Sequence, residues 1–581
     1  MSLRGDIKDE EKGVVNLSSF TGGMRRNVDP SELEDNEYVH GENIRVRDGY
    51  IKPVKGPLDI SDQVPAGKKQ GIYGYGTILV LFNGGKAYAK DFSDNAPQFS
   101  YINGFLMNDS VERIYAQDVP ASWMNVERKL TDGTDITGGI KFLSEIAGTP
   151  AAIVCQDGLN QPRLIFSTGL ARAAKIENDW NNSDLTEQDT REYVPVGKQM
   201  MYSPDGILYI FSPDSKIIYR SVTGRPLDFV IAVDSNGDKL PSLSTGKPEA
   251  SRLSYNLDFS PMTAIFNINS TPRRNTEAAG FFLGTSQRSW VVYPTYDQLP
   301  YNEPTFSKQF VFSTGPLNQD SVEEVLGETV LITDSGPMTF SAITNSTSEG
   351  KNSPFYSKVA KLFQNITQTT TCIGKFDDYV LFSVNTLYGQ GVLVYDTTTG
   401  TFPSLDIYPE VNGVIKQFAT IKVRGQKRLF FITTSDQLFE AFAGETAEWK
   451  VYLKEFGGEG ENQVIPRRFR VTLANITENG TLTLQEFVDR KAGTSRPVDV
   501  SSNVTSVTPP IAVPFGNQSE DSVSDYSFPI EVPFKGERLG VMLSGDFDCE
   551  LQVVTIIAEL DEQAITDSEA GRVFSDLRGS L

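Results

Sequence analysis

Apolar positions along this chain fall in short runs, rich in β-branched and aromatic residues and broken by Gly, Asn, Asp and Pro. That pattern predicts strands and hairpins throughout. Stretches with a 3.6-residue period are few. They predict helices only at Pro30–Glu37 and in parts of Ser110–Lys129 and Thr168–Trp180.

The runs group into small antiparallel meanders. Ile72–Gly76 and Thr77–Phe82 lead into Asn83-Gly84-Gly85, and Lys86–Phe92 returns. Asn-Gly tolerates the positive φ angles of a tight hairpin. Ile140–Leu143, Ala151–Gln156 and Pro162–Ser167 form the next group. Lys198–Phe211 follows, turning at Ser203-Pro204-Asp205-Gly206, and then Lys216–Val222. Later groups are Thr263–Pro294, Glu323–Ile343, Thr371–Thr401 and Gln417–Ala443. Each unit is roughly 40–65 residues, the spacing of propeller blades with long loops. A lone four-stranded meander cannot bury both faces, whereas copies stacked around an axis can.

Phe456-Gly457-Gly458-Glu459-Gly460 reads as a flexible joint. Beyond it Arg468–Leu473, Thr481–Phe487, Ser527–Val532, Arg538–Ser544 and Glu550–Ile557 read as strands, with Pro497–Ser527 as loop. That region is the size of a β-sandwich. The expected layout is an N-terminal docking segment over 1–60, a six- or seven-bladed β-propeller over 61–455, a sandwich over 456–563 and a polar tail over 564–581. The fold class is all-β.

Composition narrows the chemistry. The 581 residues carry a formal net charge of −22. Such a surface repels a phosphate backbone and is poorly suited to gripping DNA or anionic lipid. A single histidine, His40, would have to serve any Ser–His–Asp triad, and a site with two histidine ligands is impossible. Cys155, Cys372 and Cys549 are too few and too scattered for a disulfide framework or a CxxC zinc site, so three reduced thiols made in cytoplasm are expected. The start, MSLRGDIKDEEKG, has no apolar stretch of the kind a secretory signal needs. No apolar run approaches the ~18 residues of a membrane helix. GxSxG, GxxxxGK[ST], HExxH and the sialidase Ser-x-Asp box are absent. No cofactor, metal or catalytic residue is assigned. A carboxylate pair among 75 acidic residues stays open by counting alone.

One segment is distinctive: FTGGMRRNVDPSELEDNEYVHGENIRVRDGYIKPVKGP, from Phe20 to Pro57. Asp29 with Pro30 reads as a helix start, and Asn43–Arg47, Asp48-Gly49 and Tyr50–Val54 as a hairpin. Gly22-Gly23, Asp29-Pro30, Glu37, Asn43-Ile44-Arg45-Val46-Arg47-Asp48-Gly49 and Gly56-Pro57 resemble the opening of the nozzle, or tail tubular protein B, family of short-tailed bacteriophages, also called packaged-DNA stabilisation proteins. Tyr219-Arg220-Ser221 with Pro226–Phe229, Leu283–Val291, Asp334-Ser335-Gly336, Tyr395-Asp396-Thr397 with Gly400, Gly480–Leu484 and Gly536–Ser544 extend the likeness in order along the chain. The exit at Gly56-Pro57 departs from the family's commoner Arg-Pro-Gly, and Ser235–Arg252 has no counterpart.

The resemblance implies a virion protein, a hexameric ring of propeller-bearing subunits in the tail. Such a ring docks on the head–tail adaptor and other tail proteins, retains packaged DNA, and lets it pass through a lumen without specific binding. On that reading Asp29, Glu37, Asn43, Arg45 and Arg47 are the candidate interface residues. The alternative for this segment is a local helix cap with a charged hairpin face, its surface pairs contributing only about 0–1 kcal/mol each. The alternative for the whole chain is a receptor- or glycan-binding propeller at the tail tip. Asp234-Ser235-Asn236-Gly237-Asp238 spaces its oxygens like a calcium loop, but Lys239 and Thr245 break the EF-hand pattern, and an Asx-turn fits better.

Overall fold

A computed structural model of the chain describes residues 12–94, 97–102, 105–120, 151–160, 162–166, 172–175, 194–214, 217–221, 224, 226, 229, 251–254, 260–267, 281–295, 305–325, 328–334, 336–339, 356–362, 372–386, 389–457, 464–503, 523–530 and 536–560. Nearly all regular structure there is antiparallel sheet. The Asp234–Asp238 loop and the tail from 561 lie outside these residues, as does 121–129 of one expected helix.

Among the described residues seven small sheets follow one another in sequence. The first is Lys69–Tyr75, Ile78–Asn83, Lys86–Asp91 and Ser100–Tyr101. The next three open with Tyr115–Pro120, Met200–Tyr202 and Met262–Asn267. The fifth, Val322–Val325, Glu328–Thr333 and Gly336–Thr339, has three strands among the described residues. The sixth runs from Cys372–Phe376 to Thr401–Asp406. The seventh is Ile415–Val423, Gln426–Thr433 and Leu438–Glu440, and its outer strand, Leu58–Asp59, comes from the other end of the chain. The opening strand of each sheet lies against that of the next, except that the fourth meets the fifth through the 3-10 turn Gln319–Ser321, and the seventh meets the first. This is a closed seven-bladed propeller, within the six or seven expected.

Glutamine side chains stitch the seams, because splayed inner strands cannot pair backbone to backbone. The Gln417 amide accepts from Ile72 N at 2.8 Å and donates to Ile72 O at 2.7 Å, closing blade 7 on blade 1. Gln319 does the same to Ile265, at 2.9 and 2.8 Å, between blades 5 and 4. Gln156 accepts from Gly197 N and donates to Pro195 O between blades 2 and 3. Each restores pairing that a buried backbone group would otherwise lose.

The sandwich draws on both ends of the chain. In one sheet Val523–Pro529, Val464–Ala474, Glu550–Leu560, Tyr50–Pro53 and Ile44–Arg47 lie in order, and Lys12–Leu17 also pairs Glu550–Leu560. In the other, Lys491–Val500, Gly480–Val488, Leu539–Gly545, Trp449–Tyr452 and His40–Glu42 lie in order. The segment expected to stand apart as an N-terminal docking piece is therefore woven into the sandwich. Strand structure also takes in Pro497–Val500 and Val523–Ser527, both expected as loop. Phe456 is bridged to Leu539 rather than free in a joint.

The helix expectations are corrected too. Pro30–Glu32 is one 3-10 turn, and Glu37–Tyr38 pairs parallel with Gly23–Met24. Tyr115–Pro120 and Arg172–Lys175 are strands. Tertiary pairing overrides weak local helical preference at all three places. One continuous core joins the modules: Val330, Ile332, Phe382 and Leu393 of blades 5 and 6 share it with Tyr38, Ile44, Trp449, Phe469, Leu543 and Val554 of the sandwich.

Candidate functional site

Asp48 and Gly49 both take positive φ, 53° and 87°, so the hairpin at residues 44–53 turns tightly and lays its first strand against blade 6. Arg45 reaches Asp406 there. Nη1 donates to Oδ1 at 2.9 Å and Nη2 to Oδ2 at 2.7 Å. Arg45 is 6% exposed and Asp406 1%. Ser404 Oγ and Tyr408 Oη also donate to the carboxylate, and the guanidinium lies over the rings of Tyr379 and Phe442. Burial works against the charge on Arg45, but the Asp406 carboxylate outweighs it and holds the pKa above its ordinary value. A bidentate, fully partnered pair is the form in which a buried ion pair is tolerated.

Asn43 completes the clasp. With φ at 54°, its amide donates to Ile407 O and Glu448 O and accepts from Ile407 N, tying three segments together. Glu37 is buried between Arg25 and Lys358, the latter at 2.9 Å, and accepts from Glu34 N. Burial raises its pKa, but these donors win and hold it below the usual value. Asp29 caps the 3-10 turn through Ser31 and receives Arg490 and Arg538, each at 2.6 Å. Its pKa is low: burial opposes, and the Arg490 and Ser31 hydrogen bonds prevail. Arg47 is the most exposed of the five, 3.5 Å from Asp378 and over the Tyr379 ring.

All five candidate interface residues thus have partners within the chain. The structure brings Asn43, Arg45 and Arg47 together against blade 6, sets Glu37 against Lys358, and turns Asp29 toward the sandwich through Arg490 and Arg538. Gly23, with φ at 70°, sits where a Cβ would lie 2.8 Å from Thr401 Cβ, so the glycine permits the close approach to blade 6. His40 bonds Glu42 through Nε2 at 2.9 Å and stands near Arg26. The three cysteines are buried, and burial pushes their thiols up; at Cys549 Asp548 and Glu550 add to it.

Sequence reasoning missed two features. At one end of the propeller axis Arg113, at the entry to blade 2, donates to Asp320 at the entry to blade 5 at 2.6 Å and to Gln417 of blade 7. Tyr115 lies under the guanidinium. This cross-link spans the propeller's own central hole. Burial raises Asp320's pKa against the pull of Arg113. Nothing in the local pattern marks Arg113, because its partners lie 207 and 304 positions away.

The second feature is a cleft of about 490 Å³ between blades 6, 7 and 1. Half-buried Phe92, Phe376 and Phe442 wall it, and Arg424, Lys427 and Arg428 rim it. Among the described residues there is no cluster of metal-ligating side chains and no helix long and apolar enough to cross a membrane.

No family model and no curated protein matches the chain. Among solved structures, the exo-beta-1,3-galactanase of Phanerochaete chrysosporium with galactose is 10% identical, covering 87% of this chain and 100% of its own, at TM-score 0.25. The Pan2 WD40 domain of Neurospora crassa is 8% identical, covering 67% and 94%, at 0.32. Dihydro-heme d1 dehydrogenase NirN is 10% identical, covering 77% and 79%, at 0.30. The propeller assignment rests on the sheet order and ring closure above.

Proposed function

We propose that the chain is a structural protein of a short phage tail. Its copies form a ring, a hexamer on the family resemblance, that docks on the head–tail adaptor, retains packaged DNA and surrounds the path of genome ejection. It carries out no catalysis. The observation that supports this most is the use made of the motif behind the resemblance. Gly23, Glu37, Asn43 and Arg45 form a buried joint that locks propeller and sandwich into one stiff wedge.

The Arg113–Asp320 cross-link adds a constraint. A conduit for DNA must run between copies, since the hole within each propeller is bridged. The net charge of −22 suits such a conduit, because acidic walls leave a duplex free to slide.

Native mass measurement of the purified chain, together with analysis of particles, tests the reading. A closed ring that is present in virions is expected. A monomer that never enters particles overturns it. A second reading, a glycan-binding propeller, is favoured by one observation, the aromatic cleft at blade 7.

A further inference from the structure

The cleft opens on the face that carries the turn between the first and second strands of each blade. Blade 7 contributes the hairpin tip Arg424-Gly425, where both residues have positive φ, 50° and 86°. Such a turn favours Asn, Asp or Gly at its first position. Here it holds an arginine. Phe442, also in the cleft, has φ at 58°, an outlying conformation for a bulky side chain. Two of the lining residues are thus held in left-handed backbone. Strain of this kind collects at ligand-binding positions.

The charges are uneven. Arg428 is satisfied by Glu440, with bonds of 2.6 and 2.5 Å, and lies over Phe92 at 4.5 Å. Lys427 is 3.9 Å from Asp377, at the limit of an ion pair. Arg424 is exposed and makes no ion pair among the described residues. On a chain of net charge −22, an open cleft rimmed by two loosely held cations is a local reversal of sign. The volume falls within the range of small-ligand sites.

We propose that this cleft binds a carboxylated sugar ring, the hexuronate unit of an acidic polysaccharide. The C–H face of the ring packs on Phe376 and Phe442, beside Phe92 and its Arg428. Its carboxylate meets Arg424 and Lys427, and its hydroxyls meet Ser93 and Gln426 at the rim. An acidic peptide offers the carboxylate without the flat apolar ring, so the phenyl walls favour the sugar. All the lining residues belong to one chain, so binding needs no second copy.

Calorimetric titration of the full chain with tetragalacturonate, monomeric galacturonate, a neutral galactose tetramer and a Glu-rich peptide tests it. Tetragalacturonate is expected to bind and the neutral tetramer to stay silent. Parallel binding of the monomer marks a single-ring subsite, and its silence marks an extended one; both agree with the proposal. Arg424→Gln with Lys427→Gln weakens binding about tenfold or more per lost charge, while Lys491→Gln on the sandwich changes nothing. Arg424→Asn gives the sharper readout. It relieves the turn, so the melting temperature rises while affinity falls. Absence of tetragalacturonate binding, equal binding of the neutral tetramer or the peptide, or affinity unchanged in the double variant overturns the proposal. A monomeric chain that binds tetragalacturonate defeats only the ring; a ring that does not bind defeats only this site.

Discussion

Removing either half of the Arg45–Asp406 pair is expected to be costly, and unequally so. The pair is almost fully buried, and its loss leaves an uncompensated group in the shared core. Breaking such a pair costs about 3–5 kcal/mol. In Arg45→Met the carboxylate keeps Ser404 Oγ at 2.7 Å and Tyr408 Oη at 3.1 Å. In Asp406→Asn the guanidinium keeps Ile44 O and two aromatic faces, and it cannot shed its charge. Arg45→Met therefore belongs near the lower end, about 3 kcal/mol, and Asp406→Asn nearer 4–5 kcal/mol. Urea unfolding read at several wavelengths gives the two values, and the Arg45→Met/Asp406→Leu double variant shows what apolar side chains in place of the pair recover. The double variant should recover much of the loss, because apolar packing replaces the pair. Singles costing less than about 1 kcal/mol, the range of an exposed pair, or the reverse order would refute this account of the joint.

Glu323 gives a pH signature. Burial pushes its carboxyl up to about 7 from 4.5, with Lys375 pulling the other way. The folded chain keeps that proton after the unfolded chain has lost it, so the contribution is intact below about pH 4.5 and is lost as pH rises through about 7. Glu323→Gln should therefore stabilise by about 3 kcal/mol at pH 8 and by little at pH 4.5; equal effects at both would contradict the assignment. Gln417→Ala leaves Ile72 N–H and C=O unpaired at the closing seam and should cost about 1–3 kcal/mol, with hydrogen exchange at Ile72 rising first. Gly23→Ala meets both the left-handed backbone and Thr401, and a loss above about 1 kcal/mol is expected in thermal melts. In an imaged ring, acidic residues should outnumber basic ones on the lumen wall, and an arginine-lined lumen would contradict the conduit reading.

The hairpins were legible because their turns carry their own chemistry. Asp48-Gly49, Gly84-Gly85 and Ser203–Gly206 all turn where Gly and Asp allow positive φ or a tight bend. The joint was half legible: Asn43, Arg45 and Glu37 stood out as residues, but not their partners. Asp406 and Lys358 lie 361 and 321 positions from them, beyond any local periodicity. The same distance hid the sandwich strands at the N-terminal end. Residues 30–37 misled for a different reason, since an Asp-Pro start signals one turn of helix as readily as several.

The pairing of Lys12–Leu17 and Tyr50–Pro53 with Glu550–Leu560 has a consequence for synthesis. The strands at 12–17 and 50–53 leave the ribosome well before the strand at 550–560 that pairs them. At roughly 5–20 residues per second, that wait is about 30–110 s. Leu58–Asp59 likewise lies idle until blade 7 is made. Through that interval the N-terminal strands offer bare edges to any passing chain, so premature release should yield aggregates, not a functional half.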